Sequence, residues 1–288
     1  MKSAIQSNKT LAFSKYHGTG NDFILVDGIK QAGEPSWWRR ETLAKLCDRH
    51  FGIGADGVIV LLKSDAGKYR MKYFNSDGLE ASMCGNGLRC LALFIRDQGY
   101  PVSMPLPIDT ASGEVAAEIL PGNRVRIAMP AVSFDRKSLP MPGKGECIDE
   151  ELKVEGAVLR ITACSVGNPH VVVFGKYSED QVRTLGPLIE NHESFPRGIN
   201  VHFVRIETPD KISQKIWERG SGATLACGSG AIAAVAAGIV RGQLPHGANI
   251  RVAQPGGELI VAVAEEFKAS SLEGEAILVF QGEINLKW

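Results

Sequence analysis

The chain has 288 residues, 44% hydrophobic and 22% charged, with 32 basic and 32 acidic side chains and a formal net charge of zero. That is apolar material for about two ordinary domains, and it excludes collagen-like, disordered and disulfide-stapled architectures. The even charge balance excludes a binder of nucleic acid by broad phosphate neutralisation, which needs a basic excess, and six cysteines without a CxxC pair suggest neither a disulfide framework nor zinc.

The N-terminal MKSAIQSNKT lacks the apolar run of a signal peptide. The longest apolar run, residues 231–240, is short of the ~20 residues of a spanning helix. The expectation is therefore a cytoplasmic protein with free thiols and no membrane contact. HGTGNDF then sets Asn21 in a Gly-Asn turn before an apolar run, 23–26, that reads as a buried strand. Trp37 and Trp38 are placed to cover a helix start, and Cys47 lies on an amphipathic helix. FNSDG carries Asn75. Cys84 opens CGNG, followed by residues 88–95, a helix apolar almost all round that stops near Gly99 and Pro101. Residues 131–145, rich in proline and glycine, are the best linker candidate.

The order then repeats. Gly167-Asn168 precedes an apolar run at 171–174, and Ser178 and Gln181 have capping-box spacing for a helix start. Asn200 follows, then ERGSGATLACGSG, in which Cys227 opens CGSG before an Ala-rich helix at 231–240 that stops near Gly242 and Pro245. Asn75 precedes Cys84 by nine residues, and Glu218 precedes Cys227 by the same nine. Two degenerate copies of one α/β unit explain this order. The expected fold is α/β (α+β), two pseudo-symmetric domains from an internal duplication. Each is a mixed, largely antiparallel sheet wrapped around a central helix, with the active site in the interdomain cleft. The domains are expected at 1–130 and 131–288.

A helix start offers N–H groups without internal partners, and with the macrodipole these form an anion site. The same field lowers the pKa of a thiol placed there, and glycines beside it let a ligand approach the backbone. Two such thiols, on opposite faces of one ligand, suit racemisation at Cα: one takes the α-proton and the other delivers a proton. The carbanion charge then goes into the carboxylate, where preorganised donors supply roughly 2.7–4 kcal/mol each. Several donors from two helix starts would give on the order of 10 kcal/mol.

HGTGNDF, FNSDG, MCGNG, GNPH and ERGSGATLACGSG together resemble the diaminopimelate epimerase family, pyridoxal-independent enzymes of lysine biosynthesis, from Lys15 to about Gly282. The resemblance implies interconversion of LL- and meso-diaminopimelate, without cofactor or metal, by Cys84 and Cys227 as the acid/base pair. It implies substrate contacts from Asn21, Asn75, Asn168 and Asn200, with Glu218 and Arg219 serving the distal amino-carboxylate or the α-ammonium region. The backbones of Gly85-Asn86 and Gly228-Ser229 would hold the reacting carboxylate, and His170 and Glu218 would lie close to the cysteines. A homodimer is also implied, as is return of a C-terminal strand, about 278–288, to the first domain. Three positions depart from the family pattern: Gly57, where several members carry glutamine, Met83, and FQGE near the C-terminus.

Plainer readings stand beside these. Asparagine next to glycine commonly just makes a turn. His17 reads as a core histidine, and His50, His192, His202 and His246 show no ligand spacing. Cys47, Cys90 and Cys164 sit in apolar surroundings and read as inert. Rival functions are a thiol acyl-transferase or hydrolase with His170 as base, an amino-acid-binding module with silent thiols, and a pyridoxal-independent racemase of histidine, glutamate or lysine.

Overall fold

The β-branched and aromatic runs form strands and the two glycine-led apolar runs form the central helices. The computed structural model describes residues 10–30 and 37–286. Residues 1–9, on which most of the signal-peptide reading rests, lie outside the described residues, as do the last two residues of the expected terminal strand. Two compact units are present: one of the described residues up to Val125 and from Ala276 onward, the other spanning Arg126–Glu275.

In the first unit, β1 (Thr10–Gly18) pairs antiparallel with β2 (Asn21–Asp27), and α1 (Arg40–Cys47) carries the chain to β3 (Gly57–Lys63), parallel to β2. A parallel neighbour needs such a crossover, because a tight turn cannot reverse the strand direction twice. β4 (Tyr69–Asn75) is antiparallel to β3 and to the short β5 (Glu80–Ala81). After α2 (Gly85–Asp97) comes β6 (Leu106–Thr110), parallel to β4 and antiparallel to β7 (Gly113–Leu120). β8 (Arg124–Met129) leads into the second unit.

There the pattern recurs. β9 (Cys147–Val154) and β10 (Ala157–Ser165) pair antiparallel, and β10 does so with β11 (Pro169–Phe174). α3 (Glu179–Glu190) crosses to β12 (Asn200–Thr208), parallel to β11. β13 (Lys211–Glu218) is antiparallel to β12 and to β14 (Gly222–Ala223). α4 (Gly228–Val240) follows, then β15 (Ile250–Gln254), parallel to β13 and antiparallel to β16 (Gly257–Val263), which is in turn antiparallel to β17 (Ser270–Glu275). Finally β18 (Ile277–Asn285) pairs antiparallel with β1 in the first unit, as β9 pairs with β10 in the second. FQGE is part of that strand: Phe280 meets Phe13 edge-on and Gln281 donates to the Ser14 hydroxyl. The duplication is thus visible strand by strand.

Each central helix has 13 residues and a cysteine N-cap of nearly the same backbone, φ −137° and ψ 118° at Cys84, φ −136° and ψ 110° at Cys227. Both helices are buried almost throughout, which is what an apolar surface on every side requires. α3 begins with the complete capping box of Ser178 and Gln181. The expected linker is not a free one. Val132, Phe134 and Leu139 are buried and Ser133 bridges to Ser165, so residues 131–145 pack into the second unit despite their turn-forming composition. Among the described residues no helix is long and apolar enough to cross a membrane.

Candidate active site

Cys84 caps α2 with no side-chain hydrogen bond to the helix, and the first intrahelical bond runs from Leu88 N–H to its carbonyl. The N–H groups of Gly85, Asn86 and Gly87 therefore lack intrahelical acceptors. The Cys84 thiol lies 3.7 Å from Asn21 Oδ1, which also accepts from Asn86 Nδ2 at 3.3 Å. Asn21 is oriented from behind: its Nδ2 donates to Asp56 Oδ2 at 2.6 Å, and a carboxylate can only accept. Asn86 Oδ1 is buried without a hydrogen-bond partner.

Asp56 belongs to an ionic cluster at the start of β2. Arg49 bonds both Asp22 oxygens and Asp56, and Lys15 lies 2.7 Å from Asp22. Burial works against the Asp22 charge, but the Arg49 and Lys15 cations outweigh it and hold the carboxyl at about 2 instead of 3.8. A depressed carboxyl stabilises the fold above its unfolded pKa and loses that contribution as pH falls through its folded value. Asp22→Asn should therefore cost about 1 kcal/mol at pH 7, a figure reduced for the solvent exposure of Arg49. The difference should fade as pH drops from 4 towards 2. Urea unfolding of both proteins at pH 7 and near pH 2 checks this; a pH-independent difference contradicts it.

α2 also buries Arg89 completely. Its Nη2 donates to Thr19 Oγ1 at 2.8 Å, while Nε and Nη1 are buried without partners and burial lowers its pKa.

In the second unit Cys227 caps α4, its carbonyl accepting from Ala231 N–H. Here the expectation of a lowered thiol pKa is corrected. Burial pushes the Cys227 thiol well up and the Glu218 carboxylate adds to this, against the smaller opposing pulls of the Gly230 N–H and the Ser229 hydroxyl. A dry site with an anion beside it outweighs the two hydrogen bonds that favour the thiolate. Glu218 is itself held by the Thr224 hydroxyl at 2.6 Å. Cys47 and Cys90 are pushed up to about 12 by burial, Cys147 to about 11 and Cys164 further still, as inert core thiols require.

His170 is fully buried, with Nε2 2.8 Å from Asn168 Oδ1 and Nδ1 2.8 Å from His202 Nε2. Both of its nitrogens are engaged, so the hydrolase reading has no free base. His202 was not legible as a site residue, yet it too is fully buried, and its Nδ1 faces Gln214 Nε2 at 2.6 Å. Gln254 continues the line, 3.4 Å from Gln214 Oε1 and bonded to both the N–H and the carbonyl of Cys227. His170, His202 and Cys227 form the one metal-like group among the described residues, with ligand atoms within 4.8 Å. Two imidazole nitrogens facing each other share a proton rather than an ion, so this donor set does not fit a metal.

Asn200 uses both ends of its amide internally, donating to Pro169 O and accepting from Arg219 N–H. The exposed Arg219 guanidinium donates to the carbonyls of Arg197 and Gly198. Asn75, the counterpart of Glu218, is exposed at the end of β4, where its carbonyl closes the turn to Gly78. Gly57 has no room for a side chain: a Cβ would lie 2.5 Å from Phe74 O and 2.6 Å from Tyr73 Cε2.

The chain matches the family model for diaminopimelate epimerase over residues 13–134 and 162–279. It is 42% identical over 278 residues to a diaminopimelate epimerase of Pelotomaculum thermopropionicum, covering 94% of this chain and 98% of that protein. It is 41% identical over 281 residues to one of Methanothermobacter thermautotrophicus, with the same coverages. Among solved structures, a hydroxyproline epimerase from Agrobacterium vitis superposes with a TM-score of 0.69 at 15% identity, covering 99% of this chain and 95% of that one. A PhzF-family phenazine biosynthesis protein from Bacillus anthracis gives 0.69 at 18%, covering 96% and 99%. These two share the fold alone.

Proposed function

The chain belongs to the diaminopimelate epimerase family, and on that premise we propose that it interconverts LL- and meso-diaminopimelate by proton transfer at Cα between two thiols. It is an isomerase acting on a small amino-acid substrate. The observation that carries the reading is the recurrence, in both repeats, of a cysteine N-cap on a buried helix whose first N–H groups lack intrahelical acceptors. One sulfur takes the α-proton as thiolate and the other delivers a proton as thiol. The buried, anion-flanked Cys227 suits the proton-carrying state.

The backbones of Gly85-Asn86 and Gly228-Ser229 take up the enediolate charge, at roughly 2.7–4 kcal/mol per donor. That sink lies in the protein, so no cofactor is needed by this route. Asn21, Asn75, Asn168 and Asn200 bind substrate, Glu218 and Arg219 anchor an amino-carboxylate, and His170 and Glu218 support Cys227. Family membership also supports a homodimer in the cytoplasm. β18 offers a surface for the dimer, with Ile277, Leu278, Val279 and Phe280 each 37–53% exposed.

The test is turnover across LL-diaminopimelate, histidine, lysine and glutamate, resolved by chiral chromatography. Diaminopimelate should be the preferred substrate by kcat/KM; preference for another of the four overturns the assignment.

A further inference from the structure

The duplication supplies an internal control. Register and topology match Phe23, Ile59 and Met71 of the first unit with His170, His202 and Gln214 of the second. Gly87 presses against the apolar trio, where a Cβ would lie 2.7 Å from Ile59 Cδ1 and 3.3 Å from Met71. Gly230 presses harder against His202, where a Cβ would meet Cε1 first and both ring nitrogens at 2.7 Å. Three apolar side chains are enough to seat a cysteine-capped helix in the first unit. The polar trio in the second is therefore not needed for packing, and burying it is costly unless every group is satisfied.

Every group is satisfied, in one sense only. The Cys227 peptide fixes one end, since its N–H can only donate and its carbonyl only accept. Gln254 must thus turn Oε1 to the N–H and Nε2 to the carbonyl, each at 3.1 Å, leaving its second amide hydrogen for Gln214 Oε1. Gln214 Nε2 then donates to His202 Nδ1, so the His202 proton sits on Nε2 and goes to His170 Nδ1. The His170 proton sits on Nε2 and goes to Asn168 Oδ1. Both imidazoles are neutral, and Asn168 is left with its amide NH2 as the group it can offer a ligand. Asn21, at the matching position of the first unit, is held the other way round. Asp56 takes its NH2, and its oxygen faces Cys84.

We propose that Gln254, Gln214 and His202 are positioning residues, forming a one-way hydrogen-bond chain that transmits the polarity of the Cys227 peptide to Asn168 and turns its NH2 towards a substrate carboxylate. This rests on the reading that Asn168 binds substrate. Burial agrees with it, holding His202 at about 3 and His170 well below the ordinary imidazole value, with the Arg219 cation also acting against the charged form of His170.

The test uses the full chain labelled with 15N-histidine. Long-range 1H–15N spectra of the wild type from pH 6 to 8 should show two neutral, non-titrating Nε2–H rings assigned to His170 and His202. A Nδ1–H ring at either position, or titration of either in that range, overturns the chain, and this result stands whether or not any variant folds. Gln214→Met, which installs the residue of the first unit, should raise KM for diaminopimelate at least fivefold while kcat changes less than threefold. Asn168→Ala separates the two ideas. If it raises KM and Gln214→Met does not, the chain has no bearing on binding and the proposal fails. If Asn168→Ala leaves KM unchanged, the substrate-binding reading of Asn168 fails and the positioning role with it, while the spectra still judge the chain.

Discussion

Cys84→Ala and Cys227→Ala are each expected to lower epimerisation of diaminopimelate by about 10²–10⁴-fold, the usual contribution of a positioned acid or base. The two N-caps match: each is a cysteine of extended backbone, at the start of a helix whose first N–H groups lack intrahelical acceptors. If the two thiols act on one proton transfer, their effects should not add, and the double variant should be little worse than either single one. Cys90→Ala is the control. Cys90 lies inside α2, fully buried, so its loss should cost about 1 kcal/mol of stability and leave turnover within about twofold. Assays of LL-to-meso conversion decide this, and near-normal turnover by either N-cap variant contradicts a two-thiol reaction.

Gly230→Ala is expected to destabilise the protein by about 3–5 kcal/mol, combining overpacking with a broken buried hydrogen-bond line. A Cβ there meets His202 Cε1 first and both ring nitrogens at 2.7 Å, and the ring is fixed by His170 on one side and Gln214 on the other. Gly87→Ala, at the matching place, meets the terminal methyl of Ile59 at 2.7 Å, a milder overlap than at Gly230. That methyl can rotate away, and the helix gains the propensity of alanine, so the cost should stay below about 1 kcal/mol. Urea unfolding of the two variants measures the difference; equal tolerance of both shows that the His202 ring is not locked.

Much of this architecture was legible in the sequence. The paired CGNG and CGSG starts, the Gly-Asn turns and the nine-residue offsets showed the duplication because each reflects local backbone chemistry. Strands β2 and β11 extend beyond the apolar runs at 23–26 and 171–174, since their polar ends join the ladder through backbone groups that sequence patterning does not mark. Residues 131–145 misled as a linker because turn residues there coexist with buried Val132, Phe134 and Leu139. The expectation for Cys227 failed on environment: helix position was legible, but full burial beside Glu218 was not. His202 was hidden for a related reason. A lone histidine in an apolar strand means nothing until the parallel register of β11 and β12 puts it two residues along from the partner of His170, where the two rings meet. Superposing the two halves position by position was the available signal, for it places histidine and glutamine where the other copy has phenylalanine, isoleucine and methionine. Asp56 and Arg49, which orient Asn21, lie in loops with no such repeat to expose them.

Two-thiol epimerisation of diaminopimelate is tested most directly by running LL-diaminopimelate to a few per cent conversion in deuterium oxide and measuring the isotope at Cα of the meso product. If one sulfur keeps the abstracted proton while the other delivers deuterium, the earliest product carries deuterium at the inverted Cα and recovered substrate remains protiated. Early product that retains the original proton at that carbon means a single base serves both faces, and contradicts the assignment of Cys84 and Cys227 as an acid/base pair.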